Sequence, residues 1–86
     1  MPGKYEGKDN YGKPKMDYVT KVIDMTDEEL YKETMRKIYM SAFANNNSRS
    51  DYHWHVDVCY EEWEKREKLK EYDRAYKEVT SPYFTK

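Results

Sequence analysis

Apolar residues return at helical spacing through most of this chain, and twice they do so with the same offsets. Tyr31, Met35, Ile38 and Ala42 stand at positions 0, 4, 7 and 11 of one stretch, and Tyr52, Val56, Cys59 and Trp63 repeat those offsets in a second. At 100° per residue each set falls within about 60° of arc, a narrow apolar stripe three turns long. The first stretch opens on Thr26-Asp27-Glu28-Glu29, in which the threonine hydroxyl accepts from a backbone amide three residues on while Glu29 reaches back. This predicts a helix over 27–45 that ends at Asn45, Asn46 and Asn47, since Asn enters the left-handed conformation readily. Ser50 or Asp51 caps the second stretch. Folded as an antiparallel pair, the two stripes set Tyr31 near Trp63, Met35 near Cys59, Ile38 near Val56 and Ala42 near Tyr52. Tyr52, Trp54, Val56, Val58 and Tyr60 also alternate with polar residues, which makes an α+β fold with a short strand at 52–60 the alternative. The repeated offsets favour the helix.

Beyond Trp63 the pattern predicts one long helix over 52–79. Glu61-Lys65, Glu62-Arg66, Glu64-Lys68 and Asp73-Lys77 are acid-before-base pairs four residues apart, and Ser81-Pro82 stops the run. Along it the apolar positions change side. Leu69, Tyr72, Tyr76 and Val79 cluster about 160° around the axis from the Val56 and Trp63 stripe, at the azimuth of Trp54 and Val58. One helix thus carries two apolar sides, and a lone hairpin buries only one of them. The face of Trp54, Val58, Leu69, Tyr72, Tyr76 and Val79 is the candidate partner interface. Its cover is the Tyr18 to Met25 segment folding back, a second copy of the chain, or a different protein.

All three glycines and two of the three prolines lie in the first fourteen residues, among Lys4, Lys8, Lys13 and Lys15, a composition that gains too little from burial to offset its ordering entropy. Residues 1–16 are therefore expected to be a flexible arm. Val19, Ile23 and Met25 share one side of an extended chain, so an extended segment is expected over 17–25, although Val22 breaks the alternation. The expected organisation is an arm (1–16), a single helical domain (17–80) and a tail (81–86), all-α in class: a helical hairpin with a long C-terminal helix and a flexible or extended N-terminal arm.

Composition changes the picture in two ways. Ten tyrosines against two leucines leave little ordinary core material and supply much of the side chain that interfaces favour, with large contact area and few rotatable bonds. The charge is balanced, 16 basic against 17 acidic residues, so no net field gathers nucleic acid or an anionic membrane. A single cysteine forms no internal disulfide, and no early apolar run reads as a signal peptide or membrane span; a protein of the reducing cytoplasm is expected.

Candidate chemistry is sparse. His53, His55, Asp57 and Cys59 offer two ligands on any one helix face, where a structural zinc site takes four, so no metal is expected. Cys59 with His55 one turn earlier has no orienting third group, so no catalytic residue is assigned and no cofactor is expected. The arm lysines Lys4, Lys8, Lys13 and Lys15, with Tyr5 and Tyr11, are candidate phosphate contacts for a nucleotide- or RNA-binding alternative.

The stretch from Met35 to Arg66, and especially Ile38-Tyr39-Met40-Ser41-Ala42 followed after the Asn-rich turn by Asp57-Val58-Cys59-Tyr60-Glu61-Glu62-Trp63-Glu64-Lys65-Arg66, resembles a helical hairpin common in small accessory proteins of tailed phages, over about a third of the chain. Abundant Tyr, Lys, Asn and Glu beside scarce Leu and Ala is similar to the products of AT-rich phage genomes. The resemblance implies a non-enzymatic inhibitor, in the host cell cytoplasm, that occludes a surface of a host or antiviral-defence protein. A second copy of the chain is a further candidate partner, and a structural or assembly subunit is the remaining alternative.

Overall fold

The computed structural model describes residues 5–44, 46–47 and 50–80. Four helices follow one another: α1 (Lys15–Ile23), α2 (Asp27–Phe43), α3 (Asp51–Lys65) and α4 (Leu69–Thr80). The class is all-α. Residues 52–60, the candidate strand, lie wholly within α3.

The start signals act as read. Thr26 Oγ1 accepts from the Glu29 amide at 3.1 Å while Glu29 Oε1 accepts from the Thr26 amide at 2.9 Å, a reciprocal box at the head of α2. Ser50 caps α3 by accepting from the Tyr52 amide. The α2–α3 pair is antiparallel in the expected register at its closed end, where Ser41 meets His53, and drifts by three residues at the other, where Trp63 meets Thr34 rather than Tyr31. There Trp63, 1% exposed, donates from Nε1 to Thr34 Oγ1 at 2.9 Å, and Thr34 donates in turn to the Leu30 carbonyl at 2.6 Å. Leu30, absent from the predicted stripe, is fully buried beside them.

Two expected elements are corrected. The segment 17–25 is not extended: α1 begins after Pro14, which stands just ahead of the first helical residue, and buries Val22 completely. The residue that broke the strand alternation is the one that faces the core. Nor does a single helix run over 52–79. At Glu67 the backbone enters the left-handed region (φ +59°), and the Lys68 amide bonds the Trp63 carbonyl while the Glu67 amide bonds that of Glu64. These two bonds are those of a Schellman ending, with Glu where Gly is usual. Lys68 therefore turns to Asp27 instead of Glu64, whereas Glu62–Arg66 and Asp73–Lys77 form as expected. Because a side chain at positive φ is strained, Glu67→Gly is expected to raise stability by about 0.5–1 kcal/mol, or about 2–8 °C in melting temperature; a thermal melt of the variant checks it.

Of the segment read as an arm, residues 1–4 lie outside the described residues, as does the tail 81–86. From Tyr5 on, the chain makes a tight turn closed by a bridge between Lys8 and Pro14 and by Asp9, whose Oδ1 accepts from the Tyr11 and Lys13 amides. The Asn10 amide bonds the Asp51 carboxylate, tying this turn to the start of α3. Tyr5 joins the core cluster of Val22, Leu30, Val58, Cys59 and Trp63.

Candidate functional site

The expected interface splits in two because α3 ends at Lys65. Its α3 half is covered within the chain. Val58 is 3% exposed, and Trp54 sits between Tyr5 (centroids 5.8 Å apart), Tyr18 (5.7 Å, edge-on) and the Lys15 ammonium (5.2 Å above the ring). The α1 helix and the N-terminal turn thus supply the cover that the sequence left open among three candidates.

The α4 half has a different setting. Leu69 and Tyr72 pack partly against the core, Val79 is half-buried, and Ala75 is fully buried. Tyr72 and Tyr76, one turn apart, lie toward α3, where Tyr60 meets Tyr72 edge-on at 5.0 Å, and Tyr76 lies 6.4 Å from Tyr72. Tyr60 is 41% and Tyr76 48% exposed. Burial, then the neighbouring Tyr76 and Asp57, push the Tyr72 hydroxyl above its ordinary range, so it stays protonated. The result is a ladder of three rings, held by contacts to one another, with its two ends open. Sequence reasoning missed Tyr60, which falls between the two stripes of α3; only the α4 packing gives it neighbours.

Three further features frame this surface. An apolar groove of about 300 Å³ runs between Tyr5, Met16, Val19, Ile23 and Val58, with Met16 and Ile23 about half exposed. A second, of about 400 Å³, lies between α2 and α4 over Met35 and Trp63. Beside it the Tyr31 hydroxyl donates to Glu78 Oε2 and accepts from Arg74, whose guanidinium stacks 4.6 Å above the Tyr31 ring.

At the junction of α1, α2 and α3 stands Arg66. It donates from Nε to Glu62 (2.8 Å), from Nη1 to Asp27 (2.7 Å) and from Nη2 to the carbonyls of Met25 (2.7 Å), Ile23 and Val22. The Val22 carbonyl, which also accepts from the Met25 amide, and that of Ile23 lie in the last turn of α1, and that of Met25 in the link to α2, so one guanidinium ends one helix, anchors the start of another and closes a third. Hydrogen bonds from Lys68 and Arg66 hold the Asp27 carboxyl below the usual carboxylate range.

The residues weighed for chemistry do not converge. His53 closes the α2–α3 turn: Nε2 donates to the Asn47 carbonyl (2.9 Å) and the Ala44 carbonyl (3.2 Å), so Nδ1 accepts from Ser41. His55 stacks on Tyr18, Asp57 is exposed, and Cys59 is fully buried with its sulfur 3.8 Å from the Tyr18 hydroxyl. Burial pushes the Cys59 thiol up to about 11, far from a reactive thiolate at neutral pH. Among the described residues no group of three or more His, Cys, Asp or Glu could hold a metal ion, and no helix is long and apolar enough to cross a membrane. Of the arm lysines, Lys4 lies outside the described residues and Lys13 stands exposed in the turn. Lys8 and Lys15 line a polar hollow that also holds the carboxylates of Asp51 and Asp57. Compared with protein-family models, with curated proteins and with solved structures, this chain matches none.

Proposed function

We propose that this chain is a non-enzymatic protein-binding module that works through the ladder of Tyr60, Tyr72 and Tyr76. The observation that carries this reading is the exposure of Tyr60 and Tyr76 at either end of a ring stack whose geometry is already fixed. Tyrosines so arranged offer apolar area to a partner with little rotamer entropy left to lose on binding. Together with the resemblance of 35–66 to hairpins of phage accessory proteins, this favours an inhibitor that occludes a surface of a host or antiviral-defence protein in the host cytoplasm. A nucleotide- or RNA-binding role is less favoured, because Lys8 and Lys15 share their hollow with two carboxylates. A second copy of the chain as partner, and a place as an assembly subunit, have no specific observation behind them.

The test is capture from host lysate on immobilised protein, wild type against Tyr60→Asp/Tyr76→Asp, with thermal melts of both. Both positions are exposed, so the melts are expected to agree within about 1 kcal/mol. A partner held by wild type is expected to bind the double variant at least about thirtyfold more weakly, the loss of about 2 kcal/mol usual for a central aromatic contact. Equal capture by the two proteins would refute the assignment of this face, and recovery of nucleic acid alone would refute the protein-binding class.

A further inference from the structure

His55 occupies an unusual place for a group that titrates near neutrality. It lies on α3 against α1, its ring stacked on Tyr18 (4.1 Å, 27°) and edge-on to Trp54 (4.3 Å). Its Nδ1 is buried with no hydrogen-bond partner among the described residues. Tyr18 and Tyr52, two of the rings around it, already carry a cation, since the Lys37 ammonium lies 5.4 Å and 5.2 Å above them. The titratable and charged groups facing the imidazole come from every neighbouring element: Tyr18 of α1, Glu33 and Lys37 of α2, Asp51 and Cys59 of α3, and Asp9 of the N-terminal turn. The carboxylates favour a charged ring, but Glu33 is engaged by the Tyr18 hydroxyl and Lys37, Asp51 by Trp54 and Asn10, and Asp9 by its own turn. Burial and Lys37 prevail.

The geometry points to His55 as an acid-sensitive latch: with the ring neutral, α1 lies on α3, and with the ring protonated, α1 lifts away and bares Trp54 and Val58. The α1 helix packs chiefly on α3, and Arg66 holds its C-terminal end, so α1 opens from the Lys15 end together with the N-terminal turn, giving up the Tyr5–Trp54, Asn10–Asp51 and Tyr18–Glu33 contacts, and pivots near Asp24 and Met25. The sign follows from linkage. Burial first, then Lys37, lower the docked imidazole to about 4, against an ordinary value of 6.5 for the ring once released. The released form binds more protons between these values, so docking is at full strength above pH 6.5 and weakens as the pH falls toward 4. The limit is tenfold per pH unit; partial contact of the ring with water reduces the expected change to about tenfold in all between pH 7 and pH 5. This holds whatever the partner of the tyrosine ladder is.

The experiment is amide hydrogen exchange by NMR on the full chain at pH 7 and pH 5, corrected for the intrinsic pH dependence of exchange, together with the His55 ring titration. Protection of the α1 amides is expected to fall about tenfold relative to those of Ile38 and Cys59, the His55 ring to titrate below 5.5, and His55→Gln to abolish the pH dependence of that ratio. An unchanged ratio in the wild type, loss of protection in α1 and core together, or a ring that titrates at 6.5 or above would each overturn the latch. Should His55→Gln fail to fold, the wild-type ratio and ring titration decide the matter alone.

Discussion

Trp63→Ala is expected to lose about 3–5 kcal/mol of folding stability, a large part of what a domain of this size holds. Trp63 is the largest side chain of the core and is 1% exposed; it fills the space where α2, α3 and α4 meet. Truncation leaves a cavity and removes the donor from which Thr34 Oγ1 accepts, leaving that hydroxyl its bond to the Leu30 carbonyl. The two effects separate in Thr34→Val, which keeps the volume and leaves the indole N–H buried and unpaired. That variant is expected to lose about 1–3 kcal/mol. Urea unfolding monitored by circular dichroism measures both. If Trp63→Ala lost under 1 kcal/mol, the indole would not be at the centre of the core.

Arg66→Ala is expected to lose about 2–4 kcal/mol, by a different route. Its side chain is 17% exposed and that of Glu62 10%, so removing the guanidinium strands a largely buried carboxylate and takes a donor from the Ile23 and Met25 carbonyls. At about 4–8 °C per kcal/mol, the melting temperature falls by roughly 10–30 °C. Arg66→Lys is expected to restore less than half, because an ammonium is a compact point charge that cannot span Glu62, Asp27 and the Met25 carbonyl together. The part of the loss that comes from Glu62 should change little with salt, since that pair is shielded from solvent, whereas the part from Asp27, 47% exposed, is screened. If the lysine variant melted with wild type, a single charge and not the planar fork would be the active feature of this junction.

The sequence made some of this legible and concealed the rest for identifiable reasons. The start of α2 was readable because Thr26 and Glu29 satisfy backbone donors locally, with no help from the rest of the fold. The α2–α3 register at the turn was readable from the shared offsets of two stripes. The end of α3 was not, because Glu is a good helix former and the acid-before-base pairs run unbroken through Glu67. Yet a trace of it was there. A shift of about 160° in the apolar azimuth between Trp63 and Leu69 can be read as one helix with two greasy sides or as two helices with a break between them. The structure takes the second course, and the change of side coincides with the positive φ of Glu67. The α1 helix was concealed by its shortness, since nine residues carry too few apolar positions to separate period 2 from period 3.6, and Val22 was discounted for spoiling the wrong pattern. Arg66 was visible only as half of an ion pair with Glu62; its bonds to Asp27 and to the Val22, Ile23 and Met25 carbonyls join residues about forty positions apart, which no local pattern encodes. The candidate site fared likewise. Tyr72 and Tyr76 were found from their spacing, Tyr60 was not, and Trp54 and Val58 proved to be covered by α1.

Which surface this protein has free for a partner therefore turns on where α1 lies. With α1 docked, Trp54 and Val58 pack in or against the core and Tyr60 and Tyr76 are left outside; with α1 loose, the face around Trp54 would join them. Nuclear Overhauser contacts in the isolated protein at pH 7 distinguish these arrangements. Cross-peaks from the Tyr18 ring to Trp54 and His55, and from the Val22 methyls to the core around Val58 and Cys59, should appear with intensities like those between Trp63 and Thr34. Their absence, with the Trp63–Thr34 contacts intact, would contradict the fold described for α1 and return the Trp54 face to solvent.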